Sequence, residues 1–177
     1  MVDSLIVLIA QYLPFVIVAA GAVVWLLAPR SGKVAMVVEG VVALAAVGVL
    51  ILVAASLHTD PRPFVADPSV KPLFAHPADN GFPSDHTALS MTVAALVWVQ
   101  RRTVGAVLAV LALCVGAARV LAHVHHAQDI VAGAVIGAVA AALGVLVWSL
   151  VSHRLPTRLT GQAPSPEPAT PETATTP

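Results

Sequence analysis

The sequence predicts an all-α protein, a polytopic transmembrane helix bundle. Of its 177 residues 58% are hydrophobic and only 10% are charged, and the mean hydropathy is +0.90, values far from those of soluble domains. A membrane-crossing helix needs about 20 apolar residues. Four segments meet or approach that length and a fifth is shorter: 5–28, 34–57, 104–122, 130–151 and, between the second and third of these, 86–100. We therefore expect about five spans.

The basic residues indicate how these spans are oriented. They cluster after the first, third and fifth spans in chain order, at Arg30, Lys33, Arg101, Arg102, Arg154 and Arg158. Because positively charged connections favour the cytoplasmic side, an odd number of spans places the N-terminus outside and the C-terminus in the cytoplasm. The connections 58–83 and 123–128 then both face the outside.

The chain is expected to form one membrane domain, residues 1–155, whose outer loop 58–83 carries part of a site. Residues 156–177 are rich in Pro and Thr without an apolar period, which predicts a disordered cytoplasmic tail. Cys114 is the only cysteine, which excludes an intramolecular disulfide. The formal net charge is zero, so the chain has no basic field and nucleic-acid binding is not expected.

Histidines are concentrated on the predicted outer side. Six of the seven lie there, at His58, His76, His86, His123, His125 and His126. Isolated polar residues at membrane ends are ordinarily solvated loop, but this concentration indicates a site.

Residues 82–86, Phe-Pro-Ser-Asp-His, lead into an apolar helix. Ser84 is a predicted N-cap, with Asp85 and His86 in the first turn. The unpaired N–H groups of a helix N-terminus can hold an anion such as phosphate. Taken alone, these residues are explained better by a capped helix with an interfacial histidine.

Residue spacing elsewhere points to phosphoryl chemistry. A histidine four residues before an aspartate on one helix face can donate Nδ1–H to the carboxylate and keep Nε2 free as a nucleophile, which fits His125 and Asp129. Two arginines from different segments, Arg62 and Arg119, can grip phosphoryl oxygens. His86 can give a proton to the leaving oxygen.

Small residues predict how the last two spans pack. Gly133 and Gly137 form a small-xxx-small pair that allows close helix contact. Counting back in fours from Gly133 gives Asp129 and His125, so the acid, the histidine and the packing face share one stripe if the helix begins near His125. The fourth span carries a comparable stripe through Ala112, Gly116, Arg119 and His123.

Two other interpretations are weaker. The clustered histidines and acids could bind zinc, but the two arginines and the absence of a paired histidine motif argue against it, so neither a metal nor another cofactor is expected. A lipid scramblase, a carrier subunit or a membrane scaffold would explain the hydrophobicity. It would not explain the spaced Arg, His and Asp residues.

The order and spacing of these motifs resemble the type 2 phosphatidic acid phosphatase superfamily. The motifs are Arg62-Pro63, then Pro83-Ser84-x-His86, then Arg119, five residues, His125, three residues and Asp129. Residues 60–64 and 76–86 look most like the bacitracin-resistance type of undecaprenyl-diphosphatase. The resemblance implies metal-independent, two-step hydrolysis through a phosphohistidine on His125, with His86 and Asp129 catalytic and with Arg62, Ser84 and Arg119 binding phosphate.

The chain departs from that family pattern at two positions. The usual lysine seven residues before the arginine is Ala55 here, and Lys71 could replace it only if the loop folds back. The usual glycine of the second motif is Asp85. Asp85, Lys71 and His123 are therefore candidates for groups that support the phosphate site from nearby.

The predicted substrate is an amphiphile whose phosphate stays in water while its chain lies in lipid. A polyprenyl diphosphate on the outer leaflet of a bacterial plasma membrane fits best, and its hydrolysis would recycle the carrier lipid of cell-wall synthesis. Phosphatidic acid, phosphatidylglycerol phosphate or a prenyl-sugar phosphate would be gripped by the same residues.

Overall fold

Six helices form the described part of the chain. The computed structural model describes residues 1–154, so the predicted tail 156–177 lies outside the described residues. The helices are α1 Val2–Leu27, α2 Arg30–Leu57, α3 Pro63–Ala66, α4 Asp85–Gln100, α5 Arg102–Leu121 and α6 Ala127–Val151, followed by a 3-10 turn Ser152–Arg154. Extended pairing within residues 1–154 is limited to one isolated bridge, Pro61 to Asn80. The all-α prediction is confirmed.

Four helices, α1, α2, α5 and α6, are long and apolar enough to cross a membrane. They correspond to the four long segments expected from the sequence. The expected shorter fifth segment is α4, which has 16 residues and is therefore about 24 Å long. It packs against α1, α2, α5 and α6. Because protein surrounds α4, this central helix does not need the length of a lipid-facing span.

Glycines on α6 let α4 approach closely. A Cβ at Gly133 would lie 2.5 Å from the carbonyl oxygen of Ser84, and one at Gly137 would collide with the carbonyl oxygen of Ala88. At the same contact the Ser84 N–H donates to the Asp129 carbonyl at 3.1 Å. The predicted small-xxx-small packing therefore holds the N-terminus of α4 against the first turn of α6.

The turn between α5 and α6 directs the chain back into the bundle. The N–H of His123 donates to Val120 O at 2.9 Å and that of Val124 to Arg119 O at 3.2 Å, the two bonds of a Schellman motif. His123 has φ of 58°, the left-handed conformation that this motif requires. The helix thus ends before His123, and the buried Val124 and His125 point inward.

The long loop from His58 to Ser84 folds back onto the end of the bundle. Gly81 N–H donates to Asp60 O at 2.8 Å, and Leu73 N–H donates to the carbonyl of Ala122 at the end of α5 at 3.1 Å. The ring of Phe82 packs edge-on against His58, with centroids 4.6 Å apart. These contacts hold the loop against the ends of α2 and α5.

Candidate active site

Side chains from four parts of the chain meet at the end of the bundle that this loop covers. The loop between α2 and α4 supplies Arg62 and His76, the turn before α6 supplies His125, and α5 and α6 supply Arg119 and Asp129. Arg62, Arg119, His125 and Asp129 are all at most 5% exposed. The structure therefore brings together four candidate residues that were predicted from the sequence. Charged groups buried within a membrane bundle are usually functional.

His125 and Asp129 form the predicted pair. His125 Nδ1 lies 3.2 Å from Asp129 Oδ2, although α6 begins only at Ala127 and His125 precedes it. Oδ2 also accepts the N–H of His126 at 2.8 Å, so a capping box at the start of α6 holds the carboxylate in place.

The protonation of the His125 ring follows from its partners. Arg62 Nη1 lies 3.2 Å from His125 Nε2, and a guanidinium can only donate hydrogen bonds. Nε2 is therefore the acceptor and carries the lone pair, while Nδ1–H donates to Asp129. This is the tautomer that a histidine nucleophile needs.

Burial lowers the pKa of His125. The hydrogen bond that Nδ1–H donates to Asp129 opposes that effect, whereas the positive charges of Arg119 and Arg62 reinforce it. The ring is consequently neutral at neutral pH, with its lone pair on Nε2.

Arg62 links the loop to the histidine. Its Nε donates to Asp79 Oδ1 at 2.8 Å, and its Nη1 donates to Val124 O at 2.7 Å as well as contacting His125. Burial alone would raise the pKa of Asp79, but the hydrogen bond and charge of Arg62 hold that pKa below its usual value. Asp79 thus remains ionised and orients the Arg62 guanidinium toward His125.

Arg119 is buried without a carboxylate hydrogen-bond partner in residues 1–154. Its Nη1 lies 3.5 Å from Ala10 O, its Nη2 lies 3.0 Å from His76 Nε2, and its Nε has no partner in that part of the chain. A buried guanidinium with unused donors is suited to bind an anion.

His76 also belongs to the site, although it lies outside the three sequence motifs. Besides contacting Arg119, its ring lies edge-on to that of His125, with centroids 6.3 Å apart. The sequence signal was the three-residue spacing between His76 and Asp79, which puts both residues of one short segment against the two arginines. That spacing predicts a contact with the arginines only when the loop is known to fold back onto the bundle.

The N-terminus of α4 is built as predicted. Ser84 is the N-cap and accepts from Thr87 N–H, while its hydroxyl, fully buried, also lies 3.0 Å from Thr87 Oγ1. Asp85 and His86 pair with each other, with Oδ1 and Nδ1 2.8 Å apart and both side chains partly exposed. The Ser84 hydroxyl thus serves the helix, whereas His86 Nε2 is left free.

Lys71 and His123, two of the proposed supporting groups, contact each other at the rim. His123 Nδ1 lies 3.2 Å from the backbone carbonyl of Lys71, and both residues are exposed. Because α5 has already ended, His123 does not continue the Arg119 stripe as the sequence suggested. Its visible role is to tether the loop.

Three possible metal ligands also come together near the site: Asp60, His126 and Asp129, with ligand atoms within 4.8 Å of one another. Asp60 Oδ2 contacts His126 Nδ1 at 2.9 Å and accepts from Gln128 at 2.6 Å. Burial raises the pKa of Asp60, but these hydrogen bonds outweigh it and hold the pKa below its usual value. Asp60 Oδ2 and His126 Nδ1 already contact each other, whereas the buried Asp129 Oδ1 has no partner within residues 1–154. The absence of a metal stays a prediction.

Comparison with known proteins identifies the family. The model of the PAP2 superfamily matches residues 36–153, which include every catalytic and phosphate-binding candidate. The chain belongs to the PAP2 superfamily. It is thus a member of a group of membrane phosphatases, as the motif spacing predicted.

Three curated PAP2 relatives are similar along most of their length. The bacitracin transport permease protein BcrC of Bacillus licheniformis is 32% identical over 80% of this chain and 69% of its own. Undecaprenyl-diphosphatase BcrC of Bacillus subtilis is 27% identical over 76% and 68%. The putative undecaprenyl-diphosphatase YbjG of Escherichia coli is 31% identical over 88% and 78%.

A solved structure shares the PAP2 fold. The crystal structure of LpxE from Aquifex aeolicus matches with a TM-score of 0.67 and 24% identity, over 82% of this chain and 86% of that one. At this identity the likeness supports the fold alone.

The position of the missing PAP2 lysine is also explained structurally. Ala55 lies in the last turn of α2, and its carbonyl accepts from Asn80 Nδ2 at 3.3 Å. Asn80 Oδ1 in turn accepts the N–H of Asp60 at 2.9 Å. At this position the contacts of Asn80 attach the loop to the end of α2.

Proposed function

We propose that this protein hydrolyses undecaprenyl diphosphate to undecaprenyl phosphate and inorganic phosphate. The observation that carries the proposal is the buried, neutral His125, whose Nδ1 is held by Asp129 at 3.2 Å and whose Nε2 faces Arg62 at 3.2 Å. The relatives of this chain include the undecaprenyl-diphosphatase BcrC of Bacillus subtilis, which supports the proposal.

The first step is transfer of the terminal phosphoryl group to the enzyme. The substrate's phosphate oxygens take over the N–H groups of Arg62 and Arg119, which releases His125 Nε2. Nε2 attacks phosphorus, the bond to the bridging oxygen breaks, and His86 protonates that oxygen as it leaves with the lipid. Asp129 stabilises the charge that develops on the His125 ring.

The second step returns the enzyme to its starting state. His86, now neutral, removes a proton from a water molecule, which attacks the phosphorus of the phosphohistidine. The N–P bond breaks, inorganic phosphate forms, and Nε2 of His125 recovers its lone pair. The two arginines offset the charge on the phosphoryl oxygens in both transition states.

A polyprenyl substrate is supported by the setting of the site. The side chains proposed to bind phosphate lie at the end of an apolar bundle, where the hydrocarbon chain of an amphiphile can stay in the membrane. The basic residues Arg30, Lys33, Arg101 and Arg102 lie at the opposite end, which supports an outward-facing site in the bacterial plasma membrane.

The test is a phosphate-release panel with the purified protein in detergent. Undecaprenyl diphosphate, phosphatidic acid and phosphatidylglycerol phosphate are compared, each with and without a chelator. We expect the prenyl diphosphate to give the highest kcat/KM, unchanged by chelation. His125→Gln should abolish release, whereas His153→Gln, the same change at the opposite end of the bundle, should leave it unchanged.

Other outcomes have distinct meanings. A preference for phosphatidic acid or phosphatidylglycerol phosphate would replace the substrate and keep the reaction. No release from any lipid would favour a non-enzymatic role, and loss on chelation would revive the metal site of Asp60, His126 and Asp129.

A further inference from the structure

His76 contacts Arg119 and lies beside His125, two residues of the proposed phosphate site. Its Nε2 lies 3.0 Å from Arg119 Nη2, and its ring lies edge-on to that of His125, whose Nε2 contacts Arg62. Arg119 can only donate, so His76 Nε2 is the acceptor, and the remaining ring nitrogen lies 3.3 Å from the carbonyl of Pro77. Both nitrogens are thus satisfied in the neutral ring with its proton on Nδ1.

The charges around His76 favour that neutral ring at rest. Arg119 faces it from α5, Arg62 from the start of α3, and His125 from the turn before α6, and burial together with these three groups lowers the pKa of His76. The carboxylate of Asp79, on the same loop, interacts with His76 through its charge. Its hydrogen bond, however, is with Arg62.

Two charged groups of α4 and α6 complete these surroundings. Asp85 acts on Arg119 through its charge, and Asp129 is engaged by His125. Neither forms a hydrogen bond with His76. In the resting site His76 therefore has cations as its closest partners.

An incoming phosphate reverses this situation. Once its oxygens accept from Arg119 and Arg62, the guanidinium group no longer uses His76 Nε2, and two or more negative charges lie where only cations were. Nε2 can then take a proton from solvent and donate it in a hydrogen bond to a phosphate oxygen.

We propose that His76 is a phosphate-binding residue that takes up a proton when substrate binds and acts as the third cation of the site. This inference rests on the proposed function, since it concerns the same phosphate. The protonated ring of His76 supplies the positive charge that a lysine would carry at the position of Ala55. His76 is thereby distinguished from a residue that only anchors the loop, because an anchor would not exchange a proton on binding.

The probe is tungstate, a tetrahedral dianion that does not titrate near neutral pH. Binding is measured by calorimetry in two buffers of different ionisation enthalpy, which counts the protons taken up. We expect the wild type to take up a proton and to bind more weakly as pH rises, by up to about tenfold per pH unit. A wild type that takes up no proton overturns the inference without any variant.

Three variants separate charge from structure. His76→Asn, which keeps an acceptor for Arg119, should weaken binding about tenfold or more, raise KM much more than it lowers kcat, and lose the proton uptake. His76→Lys should restore tight binding that no longer varies with pH around neutrality. His153→Asn is the matched control, and binding by His76→Asn identical to wild type across pH would overturn the inference.

The same measurements separate this inference from the proposed function. Proton-linked tungstate binding without phosphate release from any lipid would remove the proposed function alone. Lipid hydrolysis by a wild type that binds tungstate without proton uptake would remove the role of His76 alone.

Discussion

Asp85 Oδ1 lies 2.7 Å from the backbone nitrogen of His86, which donates to it, and 2.8 Å from Nδ1 of the same residue. One carboxylate oxygen thus fixes both the main chain and the ring of its neighbour, as Asp129 does for His126 N–H and His125 Nδ1. Asp85 stands where the family has a glycine. Its contacts with His86 therefore repeat the contacts by which Asp129 orients His125.

This pairing predicts how His86 acts. His86→Asn should lower kcat with a lipid diphosphate by about 10²- to 10⁴-fold, because the leaving oxygen would no longer receive a proton. Measured as kcat/KM, which reports the phosphoryl-transfer step and not the later attack of water, the loss should be much smaller with p-nitrophenyl phosphate, whose leaving group needs no proton. Asp85→Asn should give the same pattern with a smaller loss, and equal losses on both substrates would remove His86 from the acid role.

Close packing of α4 on α6 predicts the effect of one added methyl group. A Cβ at Gly133 would lie 2.5 Å from Ser84 O, so Gly133→Ala should displace the N-terminus of α4, destabilise the protein by about 1–3 kcal/mol and reduce kcat. Gly48→Ala in α2 is the control, since nothing lies within 4 Å of its added Cβ. Thermal unfolding and phosphate release of both variants test this, and equal behaviour would contradict it.

The lowered pKa of His125 predicts the acid side of the pH profile. The neutral ring is the active form, so kcat/KM should stay high until pH falls below about 6.5, the ordinary histidine value. In that window the unfolded chain binds more protons than the folded one, so the unfolding temperature should also fall as pH is lowered. An acid limb lying above the ordinary value would contradict the assignment.

The proposed orientation predicts which side of the membrane each end faces. Ser69 in the outer loop and Thr103 at the start of α5 are both exposed. In a Cys114→Ala background, Ser69→Cys should react with a membrane-impermeant thiol reagent on intact cells, whereas Thr103→Cys should react only after permeabilisation. The reverse pattern would place the site in the cytoplasm.

Local regularities explain what could be predicted from the sequence. The spacing of His125 and Asp129, the Ser84 cap and the Gly133–Gly137 pair each depend on the geometry of one helix or its first turn. The Ser84 cap and the Gly133–Gly137 pair were found where that geometry places them. His125 lies before α6, and the turn that precedes the helix brings its ring to Asp129.

The remaining features depend on contacts distant in the sequence. His76 lies in a proline-rich loop without a hydrophobic period, and only the attachment of that loop to Ala55 and Ala122 brings it to Arg119. The left-handed turn at His123 was also missed, because non-glycine residues seldom adopt that conformation. An apparent helical stripe therefore ended earlier than expected.

In the proposed mechanism, the contact between Arg62 Nη1 and His125 Nε2 would keep the resting enzyme unreactive toward molecules other than its substrate. The lone pair that would perform the attack accepts the N–H that would bind the substrate, so only a molecule with anionic oxygens could compete for the guanidinium and expose that lone pair. Uncharged electrophiles, including the ester carbonyls of surrounding membrane lipids, offer no such competition. Discrimination in favour of phosphates thus precedes any bond making.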